Sequence, residues 1–137
     1  MTEMLPIVLL VEDDDAIQCI VEDALREGGF EPASAKSGAE AVTLLKSRLA
    51  IYCALVTDIN LLGNLNGWDV ARAAREVDLH FPVVYISSAA AHDWPALGVP
   101  NSIILQKPFA PAQLTTAVSQ LLNERSAADL GRGGGDT

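Results

Sequence analysis

A chain of 137 residues has room for one ordinary domain and not for two. Half of its residues are apolar, enough for a buried core and too many for a disordered chain. Nine Lys and Arg stand against 18 Asp and Glu, and the net charge of −9 argues against partners that attract basic surfaces, namely nucleic acid and anionic membrane. The longest apolar run, Leu5 to Val11, is far short of the roughly 20 residues of a membrane helix. The start Met1-Thr2-Glu3-Met4 has an acid where a secretory signal carries positive charge, so a cytoplasmic protein is expected. Cys19 and Cys53 show no metal-ligand spacing and are expected to be free thiols.

Pro6 to Val11 is apolar and rich in β-branched residues, which predicts a strand buried on both faces. It ends at an acidic run, Glu12-Asp13-Asp14-Asp15. Ile17, Ile20, Val21, Ala24 and Leu25 recur at helical spacing, with Asp14 or Asp15 as the cap and Gly28-Gly29 as the stop. Phe30 to Ala35 is a weaker strand. Ser37-Gly38-Ala39-Glu40 has the capping-box pattern and opens a helix carrying Ala41, Leu44, Leu45 and Leu49. Tyr52 to Thr57 is a third strand ending at Asp58, and a Gly- and Asn-rich loop follows it. Val70, Ala73, Ala74 and Val77 mark a third helix, with Arg72, Arg75 and Glu76 turned outward. Trp68 is expected to pack at the start of that helix.

Pro82 to Ile86 is a fourth strand running into Ser87-Ser88. Pro95, Gly98 and Pro100 then leave room for two helical turns at most, with Trp94 covering the core beneath. Ser102 to Leu105 is a fifth strand, followed by Lys107-Pro108-Phe109. Pro111 suits the first turn of a last helix whose apolar face is Leu114, Ala117, Val118, Leu121 and Leu122. The domain is expected to span 1–123, and the polar, Gly-rich 124–137 to form a flexible tail.

Alternating strands and helices with short connections predict a parallel sheet with helices on both faces. All strand C-termini then share one edge, where ligands bind. Glu12 and Asp13, Asp58, Ser87 and Lys107 each follow a strand directly, so all fall on that rim. In the order 2-1-3-4-5 the first and third strands are neighbours and three carboxylates converge. Two unit charges about 4 Å apart repel by roughly 4 kcal/mol at an effective dielectric near 20, so such a group takes up protons or binds a cation. All-oxygen ligands suit a hard ion such as Mg²⁺. With a hydroxyl and an ammonium added, the set fits phosphoryl transfer, and the central Asp58 is the candidate acceptor.

These pieces resemble the receiver domain of two-component response regulators over about residues 5–123. They are Val8-Leu9-Leu10-Val11-Glu12-Asp13-Asp14, Val56-Thr57-Asp58, Pro82-Val83-Val84-Tyr85-Ile86-Ser87-Ser88 and Lys107-Pro108-Phe109. The resemblance implies a flavodoxin-like doubly wound five-stranded sheet, here with a shortened fourth helix. It implies phosphorylation of Asp58 by a histidine kinase or phosphotransfer protein. It implies Mg²⁺ held by Glu12, Asp13, Asp58 and the backbone carbonyl of Asn60, contacts of Ser87 and Lys107 with the phosphoryl oxygens, and a cis Lys107-Pro108 bond. Three positions depart from the family pattern: Ile104 where an aromatic is usual, the shortened fourth helix, and Leu62-Gly63 where a Pro is frequent.

The short tail leads to the expectation of a single-domain regulator, not a turnover enzyme, that catalyses its own phosphorylation and dephosphorylation. Its output would go through docking on a protein target or a phosphorelay, with a homodimer possible. Two other readings compete. A degenerate receiver would bind partners without phosphorylation. A phosphatase with an Asp nucleophile would want a second Asp two positions on, where Asn60 stands.

Overall fold

The computed structural model describes residues 4–88 and 91–135, with the side chains of 91 and 128–135 left aside. Five strands form one parallel sheet: β1 (Ile7–Val11), β2 (Glu31–Ala35), β3 (Tyr52–Asp58), β4 (Val83–Ser87) and β5 (Ile103–Gln106). Their spatial order is β2-β1-β3-β4-β5, as expected. The helices are α1 (Asp15–Glu27), α2 (Gly38–Arg48), α3 (Gly67–Val77), α4 (Trp94–Leu97) and α5 (Pro111–Gly135).

Strand side chains alternate between faces, and this splits the core in two. Leu9, Val11, Leu55, Val83 and Tyr85 meet α2 and α3, while Val8, Leu10, Ala54, Val56, Val84 and Ile86 meet α1 and α5. Each fully buried aliphatic side chain contributes roughly 1.5–3 kcal/mol, so β1, β3 and β4, buried on both faces, carry much of the stability.

Caps set the helix starts. Asp14 accepts the N–H groups of Ala16 and Ile17 at the head of α1. Ser37 accepts that of Glu40, and the Glu40 carboxylate reaches back to the Lys36 N–H instead of the Ser37 N–H, so the expected capping box is half formed. A complete one, absent from the sequence reading, heads α3: Asn66 and Asp69 exchange side chain and backbone at 3.0 Å both ways. Pro111 opens α5. The fourth helix is stunted as expected, a 3-10 turn over Ala91–Asp93 and then the four residues of α4.

Four expectations need correcting. The residues after 123 are expected as a flexible tail, but the described ones are helical. α5 runs on through Glu124 to Ala128, which contain no breaker, as far as Gly135, and Arg125 pairs with Asp78 at 2.6 Å. The final two residues of the expected tail lie outside the described ones. Arg75 is not turned outward. It is half-buried and donates to the carbonyl oxygens of Phe81 and Pro100, both at 2.6 Å. Ile20 and Val77 keep the helical spacing but lie exposed, on the flank of α1 and in the last turn of α3. Trp68 and Trp94 lie as expected, the first buried at the start of α3 and the second half-buried over the core. Cys19 and Cys53 are free thiols.

Candidate functional site

The rim at the strand C-termini gathers four of the expected side chains. Glu12 follows β1, and its N–H donates to the Ala35 carbonyl at 3.2 Å, carrying the ladder one residue past the strand. That places a carboxylate in the interior, 1% exposed. Its Oε1 accepts the Asp14 N–H at 3.1 Å, while Oε2 is buried with no hydrogen-bond partner. Asp13 is half-buried, and its Oδ2 accepts the Leu62 N–H at 2.8 Å. Asp58 ends β3 and is 6% exposed. Oxygens of Glu12, Asp13 and Asp58 lie within 4.8 Å of one another.

Lys107 enters from the end of β5. Its N–H donates to the Ser87 carbonyl at 2.8 Å, and the Lys107-Pro108 bond is cis, as the resemblance implied. Its Nζ lies 3.5 Å from Glu12 Oε2 and 3.5 Å from Asp58 Oδ1, with the side chain only 19% exposed. Ser87 is buried at the end of β4, one residue past Ile86, the register partner of Asp58. Asn60 is exposed two residues beyond Asp58.

Electrostatics follow from this burial. The Glu12 carboxyl is held above its ordinary range, first by burial and further by the charges of Asp58 and Asp13, against the pull of the Asp14 N–H and Lys107. Asp58 is raised as well, again first by burial, with Lys107 pulling it down. Three carboxylates against one ammonium leave the cluster negative. It is an all-oxygen set with a buried oxygen, Glu12 Oε2, that makes no hydrogen bond and has the Lys107 charge beside it, and those features fit a hard divalent cation.

Two features of the site escaped the sequence reading. A Cβ on Gly67 would collide with the Asp58 carbonyl oxygen and lie 2.7 Å from Ile59 Cα. The Gly67 N–H donates to the Ile59 carbonyl at 2.9 Å, so α3 begins against the backbone of Asp58 and Ile59. The signal was a glycine directly before an amphipathic helix. The other feature is the Leu62 N–H, a backbone group with no sequence signature, which orients Asp13.

Comparison with known proteins places this arrangement. The response regulator receiver domain matches residues 8–119. The chain belongs to that family. Among curated relatives, the receiver is 36% identical over 124 residues to the transcriptional regulatory protein PrrA of Mycobacterium tuberculosis, covering 89% of this chain and 52% of that one. The chain thus spans about half the length of the curated relatives it matches. A response regulator receiver protein from Sinorhizobium medicae is 48% identical with a TM-score of 0.85, over 88% of this chain and 97% of the other. The receiver domain of a Pseudomonas aeruginosa sensor histidine kinase, solved with a magnesium ion in its active site cleft, shares the fold at 24% identity and a TM-score of 0.76, over 88% and 99%. No helix among the described residues is long and apolar enough to cross a membrane.

Proposed function

We propose that this receiver accepts a phosphoryl group on Asp58 from the phosphohistidine of a kinase or phosphotransfer protein in the cytoplasm. The observation that carries the reading is the placement of Lys107 Nζ, 3.5 Å from both Glu12 and Asp58, inside a three-carboxylate cluster. A carboxylate oxygen of Asp58 attacks phosphorus, the donor's N–P bond breaks, and an acyl phosphate forms. Water later cleaves that phosphate and restores the carboxylate. The chain catalyses both steps on itself and is not a turnover enzyme.

Glu12, Asp13, Asp58 and the Asn60 carbonyl are the proposed Mg²⁺ ligands. The ion would supply positive charge against the transferring phosphoryl oxygens. Lys107 supplies a second positive charge and Ser87 a hydroxyl from the adjacent strand end. The Leu62 N–H occupies one Asp13 oxygen and so fixes which way that carboxylate turns. Output passes through docking on a protein target or through phosphorelay. The net charge of −9 supports a protein partner over nucleic acid.

Intact-mass measurement after incubation with acetyl phosphate and Mg²⁺ tests this. Wild type gains one phosphoryl group and Asp58→Asn gains none. Equal labelling of both would remove Asp58 from the reaction. No labelling of wild type would favour the degenerate receiver.

A further inference from the structure

We propose that the Trp68–Tyr85 pair transmits the state of Asp58 to the β4–β5 connection. The inference rests on the phosphoacceptor reading above. It starts at Gly67, where the absence of a Cβ lets α3 begin on the Asp58 carbonyl. The next residue is Trp68, 5% exposed, with its ring centroid 4.7 Å from that of Tyr85 at an interplanar angle of 59°. Tyr85 is fully buried on β4, on the same strand face as Ser87 two residues on. A change at the ends of β3 and β4 therefore meets the same aromatic pair from two sides. Close-packed interiors respond to such changes by switching between arrangements rather than by deforming smoothly.

Tyr85 has one polar atom, and it leads out of the core. Its hydroxyl oxygen accepts the Val99 N–H at 3.1 Å. The Val99 carbonyl accepts the Ser102 hydroxyl at 2.6 Å, and Ser102 Oγ accepts the Trp94 indole N–H at 2.9 Å. Arg75 of α3 holds the same segment through the Pro100 carbonyl at 2.6 Å. Hydrogen bonds thus run from a buried phenol to α4, where Pro95, Ala96 and Leu97 are exposed. Ile104 is half-buried in the same core, an aliphatic contact only. The surface that changes with phosphorylation is accordingly that of α4 and the turn after it.

The test is NMR on the ¹⁵N-labelled full chain, with and without Mg²⁺ and beryllofluoride, a phosphoryl mimic. In wild type the Val99 and Ser102 amides and the Trp94 indole N–H shift along with the amides beside Asp58. In Tyr85→Phe the amides beside Asp58 still shift and the Val99 and Trp94 responses are lost. Ser102→Ala gives a second check that does not depend on Tyr85→Phe folding, because it cuts the path later: Val99 still responds and Trp94 does not. A purely structural role for Tyr85 would move melting without separating these signals. Undiminished Val99 and Trp94 responses in Tyr85→Phe overturn the proposal. So does a wild-type Val99 that stays still while Asp58 is loaded. A wild-type protein that takes up no beryllofluoride overturns the phosphoacceptor reading itself and is told apart by silent amides beside Asp58.

Discussion

The crossovers on either side of β4 are built in opposite ways. α3 has 11 residues, a complete capping box and six buried residues, while α4 has four residues, no side-chain cap and none buried. The first crossover is held by apolar burial along a helix face. The second is held by hydrogen bonds donated by Arg75, Trp94 and Ser102 and by one that the Tyr85 hydroxyl accepts from the Val99 N–H. Among the described residues, the first touches the acidic site through Gly67 and the Asp58 carbonyl. In this receiver the helix between β4 and β5 is short while α3 still packs on the Asp58 backbone, and hydrogen bonds anchor the short connection.

The sharpest way to break this comparison is to truncate the tryptophan of each crossover. Trp68→Ala should cost roughly 3–5 kcal/mol in urea unfolding, because a fully buried aromatic leaves a cavity. Trp94→Ala should cost clearly less, since its ring is half-buried. Equal costs would mean that the short crossover carries as much of the core as the long one.

The next largest effect concerns the site. Burial raises the Glu12 and Asp58 carboxyls, so their ionised forms oppose folding. Their contribution to the stability of the metal-free protein should be largest below the ordinary carboxyl range near pH 4 and be lost as pH rises through the raised values. At neutral pH, Mg²⁺ at about 100 times its dissociation constant should add about 2.7 kcal/mol. Asp58→Asn should stabilise the metal-free protein by about 1 kcal/mol and gain less from Mg²⁺. A wild-type melting temperature that ignores Mg²⁺ would contradict this.

Smaller still is the α3 cap. Asn66→Ala should cost about 1 kcal/mol and, by loosening the start of α3, slow labelling of Asp58 by acetyl phosphate. An unchanged labelling rate at that loss of stability would separate the cap from the site.

The smallest effect tests the extension of α5. Asp78 is pushed up by burial, but hydrogen bonds from Arg125 and the His80 N–H outweigh this and hold it below the usual carboxyl range. That contribution is present above about pH 4 and is lost as pH falls through the lowered value. Both partners are partly exposed, so Arg125→Met should cost under about 1 kcal/mol at neutral pH, with the difference vanishing in acid. A difference that persists in acid would assign the loss to packing of the Arg125 stem.

Much of this was legible in the sequence because it depends on pattern. β-branched runs buried on both faces gave the strands, and the residues after them, Glu12, Asp13, Asp58, Ser87 and Lys107, had to share an edge in a parallel sheet. Breakers such as Pro95 and Gly98 act locally, so the stunted helix was readable as well. Arg75 was misjudged because spacing along a helix does not reveal a carbonyl offered by another loop. The end of α5 was misjudged because the polar residues from Glu124 onward look alike in a tail and on an exposed helix, and Asp78, which pairs with Arg125, is far away in the chain. The Asn66–Asp69 box was visible in principle but lay in a loop read for its glycines.

Local rules therefore settled which elements form and which edge collects the acids, since side-chain periodicity, caps and breakers act over a few residues. Tertiary structure decided the rest. It set the 3.5 Å placement of Lys107 between two carboxylates, the contact of Gly67 with Asp58, and the meeting of Trp68 with Tyr85. Each joins residues on different elements, and only the packing of those elements brings them within range.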